Sequence, residues 1–313
     1  MTSQSRNGNR IDVLIGNIMG EARARAPSLI VTVLGDAIAP RGGRFWIGSL
    51  IEAMAPFGLN DRLVRTAIFR LTREDWLIAT QMGRRSYYSL TRSAIKRFDE
   101  AFHRVYEADH QPWTGEWTLA MVDSAAVPAE ARERIRRELT WAGFGIASAQ
   151  MYAHATLPPA AVRDKLADLG ILDGALVLRS RIDWPKTDTA AHAFVRRCWD
   201  LDQIASQYAR FLDCFRPLWQ AIRDNGPVSD RACFMIRTLL IHEYRRLTLR
   251  DPQLPRELTA TDWEGSAART LTRNIYRRVT PGTEEFLTAT IETAEGPLPA
   301  ASRAFHTRFD DLD

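Results

Sequence analysis

Residues 59–90, LNDRLVRTAIFRLTREDWLIATQMGRRSYYSL, carry two structural periods in immediate succession. Asn60 is a good helix N-cap, and Leu59 ahead of it is placed to staple onto Val64. The helix is predicted to run to about Thr72 or Arg73. At about 100° per residue, Leu63, Val64, Ala67, Ile68 and Leu71 gather on one side. Arg62, Arg65, Thr66, Phe69 and Arg73 gather on the other, with Arg70 at the edge. A period-2 pattern then predicts strands at Trp76–Met82 and Ser86–Leu90, joined by a Gly83-Arg84-Arg85 turn. An amphipathic helix followed at once by a hairpin must lay both apolar sides on one core. That leaves an arginine ridge and a basic hairpin tip facing water.

Such a ridge suits the major groove. Guanidinium forks pair with guanine edges or phosphates, and methyl and ring groups touch thymine. Helix followed by basic hairpin is the plan of a winged helix-turn-helix, in which the second helix enters the groove and the wing touches the neighbouring backbone. An arginine stripe alone is equally compatible with a solvated helix face. The distribution of charge favours nucleic acid. Residues 1–97 hold 15 basic and 7 acidic side chains, a net +8, whereas the whole chain is +4 and the remainder therefore −4. Arg41 and Arg44, in the turn PRGGR at 40–44, add two more groups that could reach a phosphate.

The rest of the composition excludes more than it selects. At 313 residues with 45% hydrophobic and 26% charged side chains, the chain has room for two or three domains with proper cores. No apolar run approaches membrane-spanning length, and the polar N-terminus lacks a signal core. Ile11, Leu14, Ile15, Ile18, Met19 and Ala22 predict an amphipathic helix over 11–24 that packs on protein. Cys198, Cys214 and Cys233 form no CxxC or zinc spacing, so buried thiols in a reducing, cytoplasmic setting are expected, with no metal and no cofactor. Walker, GxGxxG, HExxH and GxSxG motifs are absent.

Along the chain, helices are expected from Ser28 to about Gly35–Ala39 and over Trp46–Ala55, both ahead of the 60–73 helix. Residues 98–112 continue helically and break at Pro112. Then come a strand at Trp117–Asp123, a helix from Pro128 to Trp141, two short strands within Ile146–Ala155, a helix from Pro158 to Leu169, and a strand at Ala175–Ile182. This β-α-β-β-α-β order is the split ferredoxin-like plan, with two helices on one face of an antiparallel sheet. From Asp188 the chain reads as helices at 189–198, 200–223, 227–249 and 263–279, with an irregular end from about 293. The expected fold class is α+β, in three domains: 1–97 winged helix-turn-helix, 98–186 ferredoxin-like, and 187–313 all-α.

Several segments together resemble one family. PRGGRFWIGSL, LNDRLVRTAIFRL and GRRSYYSLT are similar to the N-terminal domain of the phenylacetic-acid degradation repressors, the PaaX-like regulators. QPWTGEW at 111–117, ELTWAGFG at 138–145, IHEYRRLTLRDPQLPREL at 241–258 and W-x-G at 263–265 continue the likeness in the family's order. It covers about 28 to 280. The resemblance implies a cytoplasmic repressor of an aromatic catabolic operon, with a winged helix on operator DNA, a Cas2-like middle domain that makes the homodimer, and a helical domain that senses an aryl-acyl-CoA such as phenylacetyl-CoA. DNA-contact roles carry to Arg41, Arg44, Arg62, Arg65, Thr66, Phe69, Arg70, Arg73, Arg84 and Arg85. No membrane partner is implied.

For the effector, His242, Tyr244, Arg245, Arg246 and Arg250 form the basic and aromatic patch that phosphates and a flat ring would need, with Trp263 and Arg273 on later segments to close it. The same arginines also suit a helix C-terminus with no ligand. Trp113, Trp117, Trp141 and Phe144 read as core or dimer surface. Two other readings stand beside the repressor. One is a metal-dependent nuclease centred on Asp123, although a lone strand-end aspartate is more ordinarily a turn residue. The other is a DNA-binding module without effector control. Cys233 and His242 lie nine residues apart, on opposite sides of one helix, and cannot pair for catalysis.

Overall fold

The computed structural model describes residues 3–23, 26–107, 113–123, 125, 127–181, 189–224, 227–259 and 262–309. In chain order the elements are α1 (Ser3–Arg23), α2 (Ala26–Val33), β1 (Arg44–Trp46), α3 (Ile47–Met54), α4 (Asp61–Arg73), β2 (Leu77–Met82), β3 (Arg85–Leu90) and α5 (Arg92–Tyr106). Next come β4 (Glu116–Val122), α6 (Ala129–Trp141), β5 (Gly145–Ser148), β6 (Met151–His154), α7 (Pro159–Asp168) and β7 (Ala175–Arg181). Then follow α8 (Thr189–Trp199), α9 (Leu201–Asp224), α10 (Asp230–Thr248), α11 (Glu264–Thr290), β8 (Glu292–Thr293), β9 (Gly296–Pro297) and α12 (Arg303–His306). The expected break at Pro112 lies outside the described residues.

Two compact units emerge, and they do not follow the three expected segments. Unit 1 takes Met1–Ala108, Arg210–Arg246 and Ala267–Asp313; unit 2 takes Asp109–Ala209 and Leu247–Ser266. The helical segment expected as a separate domain at 187–313 is thus shared between them. Its apolar faces are spent elsewhere: within unit 1, Phe234 of α10 stacks on Phe286 of α11 and meets Phe57 edge-on, with ring centroids 4.7 and 5.7 Å away.

In unit 1, α2 opens into a π-helical turn at Leu34–Ile38 and a 3-10 turn at Ala39–Arg41 before β1. β1, β3 and β2 form an antiparallel sheet in that order, with Phe45 opposite Tyr88 and Leu77 opposite Leu90. β1 was not foreseen, because three residues are too few to show a period. Gly83 at φ +59 turns the hairpin, and Arg85 belongs to β3 rather than to the turn. The long helix α11 passes through Pro281 to Thr290 instead of stopping near 279.

A second feature of unit 1 lies at its centre. The Asp36 carboxylate, 4% exposed, accepts from Arg237 Nε and Arg308 Nη1 at 2.9 Å and from the hydroxyls of Tyr106 at 2.6 Å and Tyr276 at 3.1 Å. Arg237 also donates to Glu284, which in turn pairs with Arg41. Burial alone would raise the Asp36 carboxyl, but the two guanidinium charges and two hydroxyl donors outweigh it and hold it below its ordinary value.

Unit 2 has the mixed helix and strand order foreseen. Its sheet runs β5-β6-β4-β7, every pairing antiparallel. On one face Ala120, Val122 and Tyr152 meet Ile135 and Leu139 of α6 and Val162 and Leu166 of α7. On the other, Trp117 and Ala153 meet Val195, Cys198 and Trp199 around α8. ELTWAGFG gains a physical reason here. Trp199 Nε1 donates to Gly143 O at 3.0 Å, and a Cβ on Gly145 would lie 2.4 Å from the Trp199 ring, so that position has no room for a side chain. Trp117 and Phe144 are core, Trp113 is half-buried, and Trp141's side chain lies outside the described residues. Cys198 and Cys233 are buried, but Cys214 is exposed on α9, contrary to expectation.

Candidate nucleic-acid interface

α4 begins where the cap chemistry says it should. Asn60 is extended, and its side chain accepts from Leu63 N at 3.0 Å. Gly58, left-handed at φ 75, turns the chain into it. Val64, Ala67, Ile68 and Leu71 are buried, at the i, i+3, i+4, i+7 spacing of one stripe. Leu63, expected with them, is 46% exposed, because a stripe this narrow leaves its flank in water. Arg62, Arg65, Thr66, Phe69, Arg70 and Arg73 are all exposed, Phe69 at 64%. A large aromatic standing in water between arginines contributes nothing to the core and is available for contact.

The cations differ in how they are held. Arg65 pairs with Asp61 at 2.8 Å and Arg70 with Glu74 at 2.6 Å, each one helical turn apart and each open to solvent. Exposed pairs of this kind contribute only about 0.3–0.5 kcal/mol, so phosphate or a base edge can displace them. Arg62, Arg73 and Arg84 have no ion partner among the described residues.

Arg44 and Arg85 are held by one acidic turn. Arg44 pairs with Glu295, and Arg85 with Glu292, both at 2.8 Å, while the Arg85 guanidinium also lies 4.2 Å from the centre of the Trp46 ring. Glu292 in β8 and Glu295 in the β8–β9 turn neutralise two guanidiniums that would otherwise be open to an outside anion. Changing both to glutamine is expected to raise operator affinity several-fold at low salt, with the gain fading as salt screens it. Equal affinity at every salt concentration would show that the two glutamates do not compete.

Arg41 requires correction. It is 4% exposed, donates to Ala37 O and pairs with Glu284, so it belongs to the interior and cannot touch DNA. The Gly42-Gly43 turn looked open in sequence, but the long arginine stem folds back under it.

Three family models match the chain: "PaaX-like protein" over 25–94, "PaaX protein central Cas2-like domain" over 110–192, and "PaaX-like protein C-terminal domain" over 199–289. "Transcriptional repressor PaaX" of Escherichia coli (strain K12) is 33% identical over 97% of this chain and 96% of that protein. The chain belongs to the PaaX-like family. A solved structure, "Uncharacterized protein Rv0674 from Mycobacterium tuberculosis", shares the fold at 20% identity and a TM-score of 0.50, covering 76% of this chain and 89% of that one.

The expected effector residues of this PaaX-like chain are divided between the two units. His242 is fully buried, its Nδ1 3.1 Å from Thr32 Oγ1. Tyr244 is buried beside Phe211 and Phe309. Arg245 donates to Thr32 and to Ser28, and burial pulls its pKa down to about 10. Arg246 pairs with Glu243, and Arg273 is half-buried. His242 and Tyr244 are therefore corrected to interior residues. The Trp263 indole sits 6.1 Å from the Tyr208 ring in unit 2, and the glycine of W-x-G leaves room for it, since a Cβ on Gly265 would meet its Nε1 at 2.4 Å.

Two of the candidates line open space. Arg245 lines a cavity of about 280 Å³ in unit 1. Arg250 lines a groove of about 630 Å³ in unit 2, with Arg136, Arg137, Arg197, Trp199 and Tyr208. Asp123 caps its own turn, its Oδ1 accepting from Ala125 N at 2.8 Å and its N donating to Gly174 O at 2.8 Å. Among the described residues, no group of three or more His, Cys, Asp or Glu side chains is placed to hold a metal, and no helix is long and apolar enough to cross a membrane.

Proposed function

We propose that this chain is a cytoplasmic transcriptional repressor that reads operator DNA with α4 in the major groove and the β2–β3 hairpin as the wing of a winged helix-turn-helix. The observation that carries it is the exposed ridge Arg62, Arg65, Thr66, Phe69 and Arg73 on a helix whose opposite stripe is buried. The Escherichia coli relative, a transcriptional repressor, supports the same reading. Arg65 and Thr66, central on the ridge, are assigned to base edges, and Arg84 to phosphate.

The protein works as a homodimer. β7 lies at the edge of its sheet with Leu176 65% and Leu178 43% exposed, an apolar strip that a second copy would cover. Two recognition helices then meet half-sites a whole helical turn apart, or a multiple of it. Release is by an aryl-acyl-CoA of the phenylacetyl type, and the operon is one of aromatic breakdown, as the family likeness suggests.

The test is retention of the chain's own upstream DNA in a mobility-shift assay. Specific retention supports the reading; cleavage of the DNA in magnesium, lost in Asp123→Ala, would replace it with a nuclease. Within the same assay, Arg84→Ala is expected to weaken all sequences alike and to lower the slope of log K against log salt by about 1. A loss confined to the specific site would instead place Arg84 on a base.

A further inference from the structure

We infer that the cavity in unit 1 is a binding site for a compact aromatic acyl group, a flat ring carrying a carbonyl or carboxylate oxygen. It lies between the π-helical turn after α2, the helix α5, and the C-terminal segment around Phe305 and Arg308. Its aromatic surface is left partly uncovered: Phe98 and Phe102 are only half-buried, and Ile95 nearby is 45% exposed. Single π turns are rare and occur frequently at functional sites. This turn brings Gly35 against Phe98, where a Cβ would lie 2.7 Å from the ring.

The polar end is specific. Arg308 lines the cavity, stacks 4.1 Å from the Tyr106 ring centre and is held by Asp36, yet its Nε is buried with no hydrogen-bond partner among the described residues. A buried donor without an acceptor is costly, and a ligand oxygen would supply the acceptor. Arg245 adds a second cation on the lining. An apolar cavity of about 150 Å³ already holds a benzene ring, so about 280 Å³ takes a ring with a short acyl chain. The nucleotide of a thioester is too large to enter, so the ligand is either a free aromatic acid or the acyl end of its thioester.

The walls connect to the reading head through backbone. Gly43, on the lining, donates its N–H to Ile38 O at 3.1 Å and accepts from Leu90 N of β3 at 2.9 Å. On the opposite wall, α5 begins two residues after β3 ends. A ring wedged between these walls bears on both sides of the base of the β2–β3 hairpin. The effect on operator binding rests on the repressor reading above; ligand binding itself does not.

The test is calorimetric titration of the full chain with phenylacetate, phenylacetyl-CoA and coenzyme A, for the wild type and two cavity-filling variants, Ala101→Trp on α5 and Val31→Phe on α2. Circular dichroism and thermal melting establish that each variant is folded. Binding of the acid or the thioester to the wild type, weakened by about tenfold or more in a folded variant, is expected. Binding of the acid identifies a free-acid site; binding of the thioester alone identifies its acyl end. Unchanged affinity in folded variants, or no binding of acid or thioester to the wild type, overturns the assignment. Operator retention is measured separately without ligand, so absence of retention refutes the repressor reading while the titration still decides the cavity.

Discussion

Asp36→Ala is expected to lower the stability of unit 1 by about 3–5 kcal/mol, since it strands Arg308 as a buried cation with its counter-charge removed and leaves Arg237 with Glu284 alone. At roughly 2–4 °C per kcal/mol for chains of this class, the first melting transition should fall by roughly 6–20 °C. The variant should lose DNA retention near its new transition even though Asp36 bonds to none of the ridge residues, because the same carboxylate ties the turn after α2 to α5, α10, α11 and the C-terminal segment. A change of less than about 1 kcal/mol would show that the network contributes little net stability, the cost of desolvating its charges cancelling their attraction.

The same carboxylate sets an acid limit. Its folded pKa is depressed, so the stabilisation is fully present above the unfolded value near 3.9 and is lost as pH falls through the folded value. Asp36→Asn should therefore flatten the fall in stability below about pH 4 relative to the wild type.

The second large effect separates reading from folding on adjacent turns of α4. Arg65→Ala is expected to weaken operator binding by about 1–3 kcal/mol and to relax sequence preference. Phe69→Ala should also weaken binding while leaving the melting temperature nearly unchanged, because its ring is already in water. Ile68→Ala, one residue away and fully buried, should do the reverse: it costs about 2–5 kcal/mol of stability through cavity formation. If Phe69→Ala destabilised as Ile68→Ala does, the ridge would be part of a packed surface, and its assignment to DNA would fail.

What the sequence disclosed follows from the range of the signals. α4, its Asn60 cap, the β2–β3 hairpin and the alternation of strand and helix in unit 2 are written in local periods and turn residues, and each appears within a residue or two of its expected place. Contacts made across long stretches of chain leave no such mark. Arg41 meets Glu284 across 243 residues, and Asp36 meets Arg308 across 272, so neither could be read from spacing. The arginines of α10 looked like one patch because they are close in sequence. Helical geometry instead turned Arg245 toward Thr32 and Ser28 and Arg246 toward Glu243. Leu63 shows the smaller error of an apolar residue counted into a stripe that ends beside it.

The account rests on α4 presenting its arginine ridge to a duplex. The most direct measurement places a photocrosslinking side chain at Phe69, with Leu178 of unit 2 as the control, and irradiates the protein on its retained promoter fragment. DNA adducts from position 69 and none from position 178 are predicted. A promoter fragment that is retained but never crosslinked from position 69 would contradict the account, because the protein would then be holding DNA by some other face.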